Sequence, residues 1–486
     1  MSTLHQAADG KRPLAVKAYL LRRPTTLAAA ACLVSFTVFW AAQHAAEVSM
    51  IDLLVYRAEG WTVRSGLDLY AMRATYAELP TTYPPFAALL FIPLTLLDVG
   101  DMRGAATVVN LGLLVALIHL SLRLLGRPLR APRPAATLVL AAGAVWCEPV
   151  WTTLRYGQIN LLLAVLVLWD LSRRPGHKLA GAGTGLAAGI KLTPALFVVF
   201  LAAWGAVEGW RRLRRTGSAA GAFSPRLRQA AVATVTFLGT AVLAALVLPH
   251  DSRTFWGEAL FQSSRVGRTE ISDNQSLSGV LARLLHTGDP GALWMVCAGA
   301  AAVLGLGAAV AAGLAGPRRL PHADAWAAVA CAVTALLISP ISWSHHWVWC
   351  VPLVLLLGAE AQRRSSWRWL AATVAGVALF CSYTLWWVPR APRSDKPPEL
   401  HQNGVQMVLS GVYPALGVAF LVLTAAVAVR ALRRPAPYEP SGARRRAPAG
   451  SGRARGRAAV GLDERDRRDE RSERNGGCRE GARGDA

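Results

Sequence analysis

The stretch "TLAAAACLVSFTVFWAAQHAA", residues 26–46, is an apolar run, and "VSMIDLLVYRAEGW", residues 48–61, follows almost directly. At about 1.5 Å per residue, the first run is long enough to cross a bilayer as a helix. The second run places a carboxylate, Asp52, among apolar residues at the point where the chain leaves the membrane. A charge at this depth is costly and normally faces a cavity and a partner. The rest of the chain must therefore explain why Asp52 stands there.

The composition indicates a polytopic, all-α membrane protein. Hydrophobic residues make up 53% of the 486 residues and charged residues only 17%. Apolar segments of about 15 to 25 residues recur from Thr26 to about Leu432. The formal charge of +23 lies mainly in short loops and in the C-terminal tail, as topology signals do. We therefore expect membrane lipids, and no nucleic acid, as partners.

The basic clusters predict the topology. The positive-inside rule places them, and with them both termini, in the cytoplasm. An even number of crossings is then required, so we interpret the short run interrupted by Pro93 as re-entrant or interfacial, which leaves about twelve spans. The segment around "KLTP" lies between two basic clusters and must go out and return, with its turn near Pro194 and Lys191 at the outer face.

This topology divides the chain into three parts: a cytoplasmic segment 1–25, a membrane domain 26–432 and an Arg-rich tail 433–486. The tail is poor in aliphatic residues, so we expect it to be disordered in the cytoplasm. The seven cysteines form no CxxC pair, and all but Cys478 lie in apolar segments, so neither a disulfide framework nor a zinc site is indicated. We expect no cofactor.

Polar residues converge on the outer face of this topology. One such residue alone is explained equally well by snorkelling at the interface, but the whole set on one face favours a site. The set consists of Asp52, Tyr83, Arg155, Gln158, Asn160, Lys191, Asp251, Arg265, Arg268, Asn274, Ser276, His345 and His346.

Several motifs follow one another in a characteristic order: "DLLVYRAEG", "LYAM" with "TTYPPFAALLFIPL", "LRYGQINLLLAVLVLWDL", "GLAAGIKLTPALFVVF", "NQSLSGVLAR" and "SPISWSHHWVW". This order, over roughly residues 27 to 430, resembles that of the glycosyltransferase family 87 membrane enzymes. The best-known members are actinobacterial α-1,2-mannosyltransferases that depend on polyprenol-phosphate mannose and act on phosphatidylinositol mannosides.

The resemblance implies a GT-C type fold, an extracytoplasmic active site and a catalytic carboxylate in the first external loop. By position, that carboxylate is Asp52. It also implies an inverting transfer of a sugar, mannose in α-1,2 linkage, from a polyprenyl-phosphate donor to a glycolipid or cell-envelope glycan.

This chemistry needs a base for the acceptor hydroxyl and positive charge for the departing phosphate. Asp52 suits the first task, and Lys191 with Arg265 or Arg268 suits the second. His345 and His346 either bind phosphate oxygens or orient the acceptor; being adjacent, they do not form a chelate on one helical face, so we expect no metal.

The neutral polar residues of the same face are the candidate substrate-binding residues: Tyr83, Gln158, Asn160, Asn274 and Ser276.

A second function class remains open, a transporter or flippase of lipid-linked sugars, because carriers also contain broken hydrophobic segments and intramembrane charge. Polar residues near the outer face rather than the midplane favour the enzyme. In either case, we expect a multi-pass protein of the cell membrane whose site faces outside.

Overall fold

The computed structural model describes residues 23–126, 132–174, 176–218, 222–391 and 397–434. Within them the chain forms eighteen α-helices, several short 3-10 helices and one two-stranded antiparallel sheet, β1 (Arg73–Ala74) and β2 (Leu79–Pro80). The helices are α1 (Pro24–Ala45), α2 (Ile51–Arg64), α3 (Pro85–Phe91), α4 (Val99–Leu124), α5 (Arg133–Ala144), α6 (Glu148–Tyr156), α7 (Asn160–Leu171), α8 (Ala182–Ile190), α9 (Ala195–Thr216), α10 (Pro225–Val247), α11 (Pro249–Gly257), α12 (Leu277–Leu284), α13 (Gly291–Arg319), α14 (Ala323–Ile338), α15 (Cys350–Arg364), α16 (Trp367–Cys381), α17 (Gly404–Ser410) and α18 (Val412–Arg433).

Several helices are suited to cross a membrane, as the composition predicts. Among the described residues, six are long and apolar enough: α1, α4, α10, α13, α18, and α16 with the 3-10 turn that follows it. Helices α5 and α6 make a seventh if the pair, bent by 79°, is one span. Three shorter apolar helices are Pro85–Leu96, Asn160–Leu171 and Ala323–Ile338. The chain is therefore a multi-pass membrane protein by its helices, and about twelve crossings stays a prediction.

Prolines interrupt the helices at the two places where the sequence predicts irregularity. Helix α3 gives way to a 3-10 helix, Ile92–Leu96, that contains Pro93. Helix α8 ends at Ile190, Lys191 is extended with φ −147° and ψ 134°, and α9 begins just after Pro194. The predicted break at "KLTP" is confirmed. It places Lys191 between two helix ends instead of within a span.

Glycines at every fourth residue bring α8 against α10. An added Cβ at Gly181 or Gly185 would fall on backbone atoms of α10, and one at Gly189 would fall on the side chain of Thr240. Such a ridge of small residues lets two helix backbones approach closely. The close packing of α8 fixes the position of its last residue, and hence of Lys191.

The N-terminal segment and the tail lie largely outside the described residues, which begin at residue 23 and end at residue 434. The predicted disorder of 433–486 falls there.

Candidate active site

Asp52 stands in the first turn of α2, where the helix dipole favours a carboxylate. Its Oδ2 accepts a hydrogen bond of 2.8 Å from Nε2 of Gln158. Arg57, one turn further on, donates to the carbonyl oxygen of Leu97 at 3.2 Å. Asp52 is thus bound by a neutral amide, and its second oxygen accepts no hydrogen bond from the residues that the structure describes, as a base requires.

Two tyrosines hold the amide of Gln158. Its Oε1 accepts from the Tyr56 hydroxyl at 2.8 Å and lies 3.2 Å from the Tyr83 hydroxyl. The two hydroxyl oxygens are themselves 2.8 Å apart. Because both hydroxyls can donate and an ionised carboxylate only accepts, this amide orientation is the one that satisfies all partners. The tyrosines therefore aim the NH₂ group of Gln158 at Asp52.

Lys191 joins this network from the break between α8 and α9. Its Nζ lies 3.4 Å from the Tyr83 hydroxyl, 3.1 Å from Nε2 of His346 and 5.2 Å from the centre of the Tyr83 ring. An ammonium only donates, so His346 must accept and is neutral. A directed chain results, in which Lys191 donates to Tyr83, Tyr83 to Tyr56, Tyr56 to Gln158 and Gln158 to Asp52.

Asp52, Lys191 and His346 have pKa values that suit this arrangement. Burial raises the pKa of Asp52 to about 6, opposed by the hydrogen bond from Gln158 and the charge of Lys191. Burial lowers the pKa of Lys191 to about 8, opposed by Asp52. Burial and the Lys191 charge lower the pKa of His346 well below its usual range. Near pH 7, the site therefore contains a carboxylate, an ammonium and a neutral imidazole.

These groups open onto a cavity of about 470 Å³. Its lining also includes Arg265, which donates to the carbonyl oxygen of Tyr70 at 2.7 Å and has a buried Nε without a partner in the described part of the chain. The lining combines polar groups with apolar surface. The residues that line it include Asp52, Tyr56, Tyr70, Thr81, Tyr83, Gln158, Lys191, Phe255, Leu260, Phe261, Arg265, Ile341, Trp343 and His346.

The structure separates the two histidines. His346 lines the cavity, whereas His345 is 5% exposed and packs edge-on against Tyr156, with ring centres 5.3 Å apart. The carbonyl oxygen of His345 accepts from Thr153 at 2.7 Å and from Asn160 at 3.1 Å. Asn160 thus holds the backbone that presents His346.

Arg268, Asn274 and Ser276 do not line this cavity. Arg268 forms an ion pair of 2.7 Å with Glu270. The side chain of Asn274 accepts from the backbone N–H of Ser342 at 3.0 Å, and Ser276 donates to the carbonyl oxygen of Pro340 at 3.2 Å. The structure therefore places the "NQS" motif behind the segment that carries Trp343 and His346.

Two polar residues on the Asp52 face of α2 were not anticipated from the sequence. Tyr56 lies one turn after Asp52, and Glu59 one turn further, so the spacing i, i+4, i+7 marks one face of α2. Glu59 is fully buried, and burial raises its pKa to about 8.

Glu148, buried at the start of α6, is a further unanticipated residue. It accepts hydrogen bonds from Thr152, Ser344 and Tyr413 at 2.7–2.9 Å. It therefore anchors the residue that precedes the histidine pair. Its place in the apolar run "AAGAVWCEPVW", residues 141–151, is the same kind of signal that singles out Asp52.

Comparisons with known proteins agree with the motifs. The profile of glycosyltransferase family 87 matches residues 82–340. A protein of Mycobacterium tuberculosis (strain CDC 1551 / Oshkosh), named polyprenol-phosphate-mannose-dependent alpha-(1-2)-phosphatidylinositol pentamannoside mannosyltransferase, is 35% identical over 333 residues, which cover 66% of this chain and 70% of that protein. A second, from M. tuberculosis (strain ATCC 25618 / H37Rv) and named as the corresponding phosphatidylinositol mannoside mannosyltransferase, is 33% identical over 347 residues, covering 68% of this chain and 75% of the relative.

Among solved structures, ArnT from Cupriavidus metallidurans bound to undecaprenyl phosphate aligns with a TM-score of 0.41 and 15% identity, covering 84% of this chain and 74% of that one. A likeness at this level carries no argument about function.

Proposed function

Because the chain belongs to glycosyltransferase family 87, we propose that it transfers mannose in α-1,2 linkage from polyprenyl-phosphate mannose to a phosphatidylinositol mannoside or a related glycolipid. The observation that carries this proposal is that one cation, Lys191, and one carboxylate, Asp52, open onto the same cavity at opposite ends of one hydrogen-bond chain. An acceptor base and a phosphate-binding cation are the two charges that the reaction requires.

In the proposed reaction the acceptor hydroxyl oxygen attacks the anomeric carbon as the bond from that carbon to the phosphate oxygen breaks. The hydroxyl proton passes to Asp52, and the polyprenyl phosphate leaves with the bonding electrons. A single carboxylate suffices, because inversion proceeds in one displacement and needs no covalent intermediate. The free oxygen of Asp52 is the acceptor of the proton, since Gln158 occupies the other.

The leaving phosphate is bound by Lys191 and Arg265. Both side chains line the cavity, and the Nε of Arg265 has no hydrogen-bond partner among the residues that the structure describes. Charge-assisted hydrogen bonds from two cations stabilise the phosphate most when its negative charge develops. His346 keeps Lys191 in place by accepting from it. We also predicted Arg268 and His345 as phosphate ligands. In this proposal neither binds phosphate directly, and each only stabilises the segment in which it packs.

We further propose a GT-C type architecture with about twelve crossings, an outward-facing cavity and cytoplasmic termini. The support for this orientation is the distribution of basic clusters. A donor whose lipid is anchored in the bilayer can reach Asp52 because the carboxylate directly follows α1, the first candidate span. A short connection fixes the height of the base relative to the membrane surface.

The test is transfer from radiolabelled polyprenyl-phosphate mannose by purified protein in lipid. Asp52→Asn keeps the size and hydrogen-bonding shape of the side chain but removes the basic oxygen. We expect it to lose about 10²–10⁴-fold in rate. Asp251→Asn is the matched control: Asp251 is also buried, but it accepts from the backbone N–H of Leu69 and does not line the cavity.

Near-normal transfer by Asp52→Asn would remove this residue from the mechanism. Lack of transfer by the wild-type protein with any lipid-linked sugar would refute the enzyme and reopen the transporter alternative, for which the relatives give no support.

A further inference from the structure

A second cavity, of about 580 Å³, lies between the C-terminal end of α1 and the first turns of α4. It does not share residues with the first cavity, but it comes close to it along the chain, because Met50 lines the second and Asp52 lines the first. The lining of the second cavity includes Trp40, Gln43 and Glu47, at and just after the end of α1, and Arg103 in α4.

Two of these side chains have polar atoms that are buried and unused. Gln43 is only 7% exposed, and neither its Oε1 nor its Nε2 has a hydrogen-bond partner within the described ranges. The Nε of Arg103 is likewise buried and unpaired in the described part of the chain. Buried amides and guanidinium groups are normally satisfied, because leaving them unpaired is costly. Both residues line the cavity, so side chains with unsatisfied polar groups stand at its wall, and this points to a polar ligand.

The chemistry of the lining indicates what this ligand is. A guanidinium donates two parallel hydrogen bonds to a phosphate, and Arg103 is the cationic group best suited to this in the cavity. The Gln43 amide and the Glu47 carboxylate are suited to hydroxyl groups, and the Trp40 indole, which is 39% exposed, offers an apolar surface. A phosphate beside a ring of hydroxyls is the chemistry of an inositol-containing lipid headgroup.

The position of the cavity fits a lipid. It opens between the ends of two helices that are long and apolar enough to span a membrane, so it lies at the level of the headgroups. An added Cβ at Gly100 or at Gly104 would meet nothing within 4 Å, so this side of α4 leaves room for a bulky headgroup.

We propose that this second cavity binds the phosphodiester and inositol of the acceptor glycolipid, while the first cavity binds the donor. The inference rests on the proposed function and names the place of its second substrate. Separate cavities with separate cations, Arg103 for the acceptor and Lys191 with Arg265 for the donor, let two anionic lipids bind at once. Met50 and Asp52, two residues apart at the start of α2, line the second and the first cavity respectively, so the acceptor is bound next to the carboxylate.

The kinetic test is Arg103→Ala, measured with each substrate varied in turn. We expect KM for the acceptor to rise about ten- to a hundredfold, with KM for the donor and kcat at saturating acceptor unchanged. Arg103→Lys should restore part of the loss. Arg123→Ala is the matched control, because Arg123 is an exposed arginine on the same helix and outside the cavity. A parallel rise in KM for the donor, or no change in KM for the acceptor, would overturn the proposal.

A binding test is independent of turnover. Native mass spectrometry of the wild-type protein in mixed micelles should detect bound phosphatidylinositol, and Gln43→Leu and Arg103→Ala should lose it while still retaining polyprenyl phosphate. Equal retention of phosphatidylglycerol, which has the phosphate but lacks the inositol ring, would overturn the assignment to the acceptor. If wild-type protein shows no mannosyl transfer, the proposed function fails, and this experiment still decides whether the second cavity recognises the headgroup.

Discussion

At the scale of single residues, the basicity of Asp52 is set by its burial beside a neutral rather than a cationic partner. Had the carboxylate been paired with Arg57, the positive charge would have lowered its pKa and made it a weak base. The structure instead has Arg57 bound to the Leu97 carbonyl oxygen and Asp52 bound to Gln158. Burial then dominates, and the pKa of Asp52 rises to about 6. A base with a pKa just below the working pH combines ionisation with proton affinity.

The same network predicts the pH dependence. Asp52 must be ionised to accept the proton, so the rate should rise as the pH increases through about 6. Lys191 must be protonated to bind phosphate, so the rate should fall as the pH increases through about 8.

Tyr56→Phe removes the hydroxyl that orients Gln158 but keeps the ring stacked on Phe91. With the hydrogen bond to Asp52 weakened, the acid limb of the profile should move up by about one pH unit, and kcat should drop about tenfold.

The control for Tyr56→Phe is Tyr383→Phe, which also removes a hydroxyl hydrogen bond, to the carbonyl oxygen of Trp146 at 3.2 Å, away from the cavity. Profiles of kcat/KM against pH for both variants and the wild type measure whether the acid limb shifts in Tyr56→Phe and stays in place in Tyr383→Phe. An unchanged acid limb in Tyr56→Phe would show that Gln158 does not depend on Tyr56.

At the scale of elements, the position of Lys191 depends on how closely α8 packs on α10. Gly185 in α8 faces backbone and side-chain atoms of Ala233 and Thr236. Gly239, in α10 itself, faces open space. The two glycines of this helix pair thus have opposite surroundings. Gly185 is required because the helices pack closely at that point, not because the backbone needs the conformational freedom of glycine.

This contrast gives a pair of substitutions with opposite expected effects on the stability of the protein. Gly185→Ala should force the helices apart and destabilise the protein by about 1–3 kcal/mol, with a loss of transfer as Lys191 moves. Gly239→Ala should be neutral or stabilising by up to about 1 kcal/mol, since alanine favours the helix. Thermal unfolding in detergent micelles measures both. Equal transition temperatures for the two variants would disprove the close approach.

At the scale of the whole molecule, the orientation in the membrane rests on the basic clusters. The segment 272–276, which belongs to the predicted outer face, cannot report on it by labelling, because Ser272, Asn274, Gln275 and Ser276 are buried. Exposed positions are needed instead. Ser65, after α2, and Ser218, after α9 in a basic cluster, are both exposed.

The topology predicts opposite labelling at these two positions. In a Cys478→Ser background, Ser65→Cys should react with a membrane-impermeant maleimide in intact cells. Ser218→Cys should react only after permeabilisation, because the positive-inside rule keeps its arginine-rich loop in the cytoplasm. Activity of each variant confirms that it is folded. The reverse pattern would place the cavity on the cytoplasmic side.

The sequence by itself was sufficient for the class of protein, the family and the break at "KLTP". These depend on local properties: the length of apolar runs, the backbone limits of proline and the order of short motifs. It was also sufficient to single out Asp52 and Lys191, because charges next to apolar runs are conspicuous in one dimension.

Only the tertiary structure decided which polar residues meet. Asn274 and Ser276 look like ligands in the sequence, yet their side chains bind the backbone of another segment. His345 and His346 are equivalent in the sequence, but contacts from Thr153 and Asn160 to one carbonyl oxygen present His346 to Lys191. Such choices depend on hydrogen bonds between residues 64 to 192 positions apart, and no local pattern encodes where a side chain will point once distant segments have packed together.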